Sequence, residues 1–267
     1  MTSIETGLSS GPRYCWRRDW VAPYESLWSL LHKFAALNWV CVQGAKQLFK
    51  KTSMADRRQR RSHGKWNLHT LGGFDGEKIR KVLKLSPDDL NHSLVTSLIS
   101  SLEIRWLTPE TNLRYCPECI NRGYHSIFHQ LYAISKCPIH DIALTEQCQH
   151  CGRKITYELN GRGKATPYSC PVCHTGLWAP RRRIGKDSEA NILELDEVQK
   201  NRLDNLFVWF DTVRKTAGSL TNMERWSEMA APGTGNNHLE HKKTFLQMRG
   251  EEVLGHWGNL IGCSDVS

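Results

Sequence analysis

Four short ligand pairs, Cys116/Cys119, Cys137/His140, Cys148/Cys151 and Cys170/Cys173, fall within 58 residues of this chain, each with two residues between its members. That spacing lets two side chains of one tight turn converge on a single ion, and four thiolate or imidazole ligands complete the tetrahedron that zinc prefers. A segment built this way folds around its metal, because the small cores beside such sites are held largely by the ion. Pro117, Pro138 and Pro171 follow the first cysteine of three pairs and fix a backbone angle inside each knuckle. Gly152, directly after Cys151, supplies the permissive backbone that a knuckle commonly needs, whereas His174 stands in the corresponding place after Cys173.

The first and second pairs are 17 residues apart, and the third and fourth 18. Two similar halves, each a knuckle, an excursion and a knuckle, favour sequential pairing. One site is then Cys116, Cys119, Cys137 and His140, and the other is Cys148, Cys151, Cys170 and Cys173. Cross-bracing, with pairs one and three on one ion and two and four on the other, stays open at this stage. Either way two Zn2+ are expected with every coordination position filled by protein, so the sites are structural rather than catalytic. His125, His129 and His150 are spare, with surface or satisfied roles expected. Cys15, Cys41 and Cys263 read as small hydrophobes or free thiols.

Disulfides are the competing reading of ten cysteines, and the expected compartment argues against them. The chain opens without a basic and apolar leader, and no stretch approaches the roughly 20 apolar residues of a membrane span. A cytoplasmic protein with no membrane partner is expected.

Around the knuckles the chain reads as mainly α, with small β zinc-ribbon elements. An N-terminal helical region over 1–110 comes first, tandem zinc fingers over 111–180 follow, and a C-terminal helical region covers 187–267. Leu27, Leu30, Leu31, Phe34 and Ala35 recur with helical period and predict a helix over 26–37. The apolar cluster 39–49 continues that unit, and a short helix over 77–85 buries Ile79, Val82 and Leu83. Ser86-Pro87-Asp88-Asp89 is a strong helix start, predicted to run to 102, so a helix-turn-helix competes with a plain helical hairpin. Further helices are expected over 195–213, from the capping-box spacing at Thr221-Asn222-Met223-Glu224, and around 245–254.

A net charge of +9 favours association with a polyanion. Arg57, Arg58, Arg60 and Arg61 lie in a run with six bases and one acid in twelve residues, and Arg181, Arg182 and Arg183 form a second cluster. These seven arginines are the candidate phosphate contacts, since the planar guanidinium binds phosphate through two donors. Trp16 and Trp20 precede the first regular helix and are candidate exposed anchors for a protein partner, against the commoner fate of core packing. No catalytic residues are expected. Gly161-Arg162-Gly163-Lys164 lacks phosphate-loop spacing, and there is no His-Glu-x-x-His. The nearest enzymatic alternative, an HNH-like nuclease, would need His140, which zinc already claims.

Leu113-Arg114-Tyr115-Cys116-Pro117-Glu118-Cys119, then Cys137-Pro138-Ile139-His140 followed by Leu144, then Cys148-Gln149-His150-Cys151-Gly152, resemble the zinc-finger core of TniQ transposition proteins. Tyr24-Glu25-Ser26-Leu27-Trp28 is similar to that family's opening helix. The resemblance covers about 20–178 and implies a non-catalytic adaptor for target selection in DNA transposition. Such an adaptor connects a DNA target, met directly or through an RNA-guided complex, to an AAA+ ATPase regulator that recruits the transposase. A free-standing zinc-finger transcription regulator is the alternative, and the oligomeric state, a homodimer included, is left open.

Overall fold

Ser26 sets the start of the first helix: its side chain accepts from the Ser29 backbone N–H, and α1 runs Leu27–Leu37. The computed structural model describes residues 14–51, 66–98, 111–159, 166–177 and 194–230. Contacts divide the chain into two units, Met1–Ala217 and Gly218–Ser267. The second is described only through Ala230, in helix, and all packing below belongs to the first.

The apolar stripe read from the sequence is fully buried, but burial does not stop at one face. Every residue from Leu27 to Ala35 is buried, including Ser29, His32 and Lys33. Helix α1 is therefore a central element covered on several sides, and its polar residues need internal partners. It ends at Asn38, beyond which Trp39 takes a left-handed backbone with φ 55°. The Trp39 and Val40 amides bond back to the Ala36 and Ala35 carbonyls, the closing pattern of a helix that usually places glycine there. Trp39 is 97% exposed. The predicted continuation through 39–49 is thus interrupted, and α2 covers Val42–Leu48 with Cys41 as its cap.

Asp75 caps α3, Gly76–Leu83, which buries Ile79 and Leu83 and leaves Val82 half-buried. Ser86 and Asp89 form the expected reciprocal capping box at α4, Pro87–His92, with Pro87 in the first turn. That helix stops at His92 instead of running on to 102. Ser93 Oγ turns back onto the Asp89 carbonyl at 2.9 Å, and Leu94 is extended before a 3-10 turn at Val95–Ser97. Helices α3 and α4 adjoin across the short 84–86 connection. At six residues, with Asp88 and Asp89 in its first turn, α4 falls short of a groove-reading helix.

Helix α6, Glu197–Ala230, is continuous through Thr221, where a separate helix was expected to open. Leu203, Leu206 and Phe210 are buried. Tyr24 packs on Phe207 at 5.2 Å and donates to Asp204 Oδ1 at 2.7 Å, while Arg202 donates to the Pro138 carbonyl in the second knuckle. The region around 245–254 lies outside the described residues.

One core joins the N-terminal helices to the knuckles: Leu27, Phe34, Phe49 and Ile79 share a buried cluster with Tyr115, Cys148, Tyr168 and Cys170. Trp16 belongs to it, which corrects the expectation of an exposed anchor. It is 5% exposed, and its Nε1 donates to the Leu83 carbonyl at 2.8 Å. No helix among the described residues is long and apolar enough to cross a membrane.

Candidate metal centres

Three of the four knuckles share one backbone plan. After the second ligand the chain turns left-handed, at Asp141 (φ 52°), Gly152 (φ 68°) and His174 (φ 59°). The amide of each donates to the carbonyl of the first ligand: Asp141 to Cys137 at 2.8 Å, Gly152 to Cys148 at 2.8 Å, His174 to Cys170 at 3.0 Å. Each first-ligand amide donates in turn to the carbonyl five residues on, at Ile142, Arg153 and Thr175. His174 therefore adopts the conformation that Gly152 supplies more cheaply, and the departure seen in the sequence is one of residue type, not of shape.

Antiparallel bridges close each of these turns, Lys136↔Ala143, Gln147↔Lys154 and Ser169↔Gly176. They stay isolated bridges, and no β-strand forms among the described residues, so the expected ribbon elements are reduced to single pairs. The first knuckle differs: Pro117 opens a short helix α5, Pro117–Asn121, so Cys116 and Cys119 lie one helical turn apart.

The knuckles pair sequentially. Cys116, Cys119, Cys137 and His140 bring their ligand atoms within 4.8 Å of one another, as do Cys148, Cys151, Cys170 and Cys173. Four sulfurs about 2.3 Å from a common centre at tetrahedral angles stand about 3.8 Å apart. Here Cys119–Cys137 is 3.6 Å, Cys148–Cys173 3.7 Å and Cys151–Cys170 3.8 Å. A nitrogen ligand sits closer to the ion, which shortens its edges, and His140 Nδ1 lies 3.4, 3.3 and 3.7 Å from the three sulfurs of its site. Both sets fit Zn2+ in size, number and softness, with all four positions taken by protein.

Protons compete for these atoms. In the metal-free chain Cys116 and Cys137 hold the His140 imidazolium up to about 9. Burial pushes the Cys119 thiol well up and the Cys170 thiol to about 12. Zinc binding must displace such protons, so loading is favoured as pH rises.

Sequence reasoning missed the polar network beneath the metal sites. Glu25, fully buried, accepts from the Ala22 amide, from Ser29 Oγ at 2.7 Å and from Lys33 Nζ at 2.8 Å. Ser26 Oγ lies 2.7 Å from His125 Nδ1, and His125 Nε2 lies 2.8 Å from the Arg114 carbonyl. Nε2 must donate there, so Nδ1 accepts from the serine. Burial holds His125 well below the usual imidazole range, neutral as this arrangement needs. Arg114 donates to the Leu131 and Ile134 carbonyls, pinning the excursion between the first two knuckles. His125 and His129 are thus buried structural residues. The visible signal was the pair of blocks itself, Glu25-Ser26 and Arg114-Tyr115, which the fold brings together.

Trp20 is half-buried and packs edge-on to Trp16 at 6.1 Å. Arg57, Arg58, Arg60, Arg61, Arg181, Arg182 and Arg183 lie outside the described residues. Neither a family model nor a curated protein matches the chain. Its class follows from the two tetrads: a zinc-finger protein with two structural Zn2+ sites.

Proposed function

We propose that this zinc-finger chain is a non-catalytic adaptor of the TniQ kind, connecting a DNA target to an AAA+ ATPase that recruits a transposase. The observation that carries the reading is the union of the two resembling blocks. Ser26 at the head of α1 is bound through His125 to Arg114, beside Tyr115-Cys116-Pro117, so the opening helix and the first zinc knuckle are tied by one buried hydrogen-bond chain. Two metal sites closed to water and substrate support a role through surfaces instead of bond chemistry. Trp39 is exposed to solvent on this unit, and an exposed tryptophan is an energetic anchor once covered.

The test is co-purification with an AAA+ ATPase and a transposase encoded beside this gene, on duplex DNA with ATP. Retention of the ATPase, reduced at least tenfold by Trp39→Ala with zinc content unchanged, is the expected result. Neighbouring genes encoding neither protein, or an ATPase indifferent to this chain, would sink the adaptor reading. Salt-insensitive binding to one promoter sequence would instead favour a transcription regulator.

A further inference from the structure

Two tyrosines cross between the metal sites in opposite directions. Tyr115 directly precedes Cys116 of the first site, and its hydroxyl donates to the carbonyl of Gln147, which directly precedes Cys148 of the second, at 3.0 Å. Tyr168 stands two residues before Cys170 of the second site, and its hydroxyl reaches the Gly123 carbonyl, in the turn that ends the first knuckle, at 2.9 Å. Both rings are buried, Tyr115 completely.

Tyr168 is held in that position against its own backbone preference. It is a left-handed residue, φ 54°, a conformation that costs any side chain-bearing residue energy unless its surroundings enforce it. Its amide donates to His32 Nδ1 at 2.8 Å, and its hydroxyl also lies 3.0 Å from both the Ser29 carbonyl and Ser29 Oγ. Ser29 Oγ in turn lies 3.3 Å from the same Gly123 carbonyl. The turn after Cys119 and the strand of chain entering Cys170 are thus clamped to one point on α1.

A knuckle keeps its shape only while its metal is bound, because the ion supplies most of the folding free energy of such small loops. When one site empties, its flanking carbonyl or tyrosine shifts, and the hydrogen bond across to the other site is strained or lost. We infer that the two zinc sites fill and empty as one cooperative unit, with Tyr115 and Tyr168 as the positioning residues that couple them. The inference rests on both tetrads binding metal and is independent of what the protein contacts. Coupling of this kind is reciprocal: whatever the first ion does for the second, the second does for the first.

Cobalt(II) tests this on the full chain, since thiolate-to-cobalt absorption scales with thiolate number and separates the three-sulfur site from the four-sulfur site. Titrated against a competing chelator, the wild type should fill both sites along one curve. The Y115F/Y168F double variant should reach the same tetrahedral spectra at saturation, but in two steps separated by roughly five- to hundredfold in free cobalt. A residue that only stabilises the fold would shift both steps together. Should the double variant take up no cobalt, Y168F alone is read in the same way. Cys116→Ser should weaken cobalt at the four-sulfur site by roughly tenfold. Two separate steps in the wild type, an unsplit curve in the tyrosine variants, or an unchanged four-sulfur site in Cys116→Ser each overturns the coupling. A wild type with no tetrahedral cobalt spectrum is a different failure, that of the metal sites themselves.

Discussion

Lys33 Nζ lies 2.8 Å from Glu25 Oε1, an ion pair whose side chains are 9% and 0% exposed. A pair this deep is costly to desolvate and gives no assurance of net stability, but breaking it from one side strands a buried charge. Glu25 also satisfies the Ala22 amide and the Ser29 hydroxyl, so it organises the entry to α1 as well as neutralising Lys33. Lys33→Met should lower the stability of the zinc-loaded protein by about 3–5 kcal/mol in urea unfolding. The paired change with Glu25→Gln should recover part of that loss. A single-variant cost below about 1 kcal/mol would mean that the pair is solvated in solution.

Trp39 occupies a left-handed position that glycine takes without strain, and its ring is bare of neighbours that could offset the cost. Trp39→Gly is therefore expected to raise Tm, by roughly 2–4 °C for a domain of this size. Differential scanning calorimetry of the zinc-loaded protein decides the matter. A fall in Tm would show that Trp39 packs onto the fold.

His32 and His129 are fully buried, and burial holds them at about 3 and about 4, against an ordinary 6.5. Both pKa values are depressed, so the unfolded chain binds more protons than the folded one between 6.5 and those values. Their contribution to stability is complete above 6.5 and is lost as pH falls toward 4 and 3. Their ring-proton NMR shifts should accordingly stay flat from pH 8 to about 5. Titration of either ring near 6.5 would contradict the neutral, buried assignment.

Local signals in the sequence are legible where they are self-contained. The apolar stripe of α1, the Ser86/Asp89 cap and the paired knuckles each depend on residues a few positions apart, and each forms as read. What escaped depends on distance along the chain. Trp16 precedes the first helix and looks free until Leu83, 67 residues on, offers it a carbonyl. Tyr168 sits 139 residues from Ser29, and nothing in its neighbourhood in the sequence marks it as the clamp on α1. Glu25, Ser29 and Lys33 lie off the apolar stripe and are nonetheless buried, because Trp20 and Ala22 from the lead-in and Gly123 and Tyr168 from the zinc-bearing segment supply their partners.

Two zinc-filled tetrads hold this fold together, and metal content per chain measures them directly. Native mass spectrometry of the reduced, full-length protein should show two zinc ions, with Cys116→Ser and Cys170→Ser each holding one fewer than the wild type in the presence of excess zinc. Because the two sites are coupled, the remaining ion should also dissociate more readily on dilution. One zinc or none in freshly prepared wild-type protein would contradict the assignment.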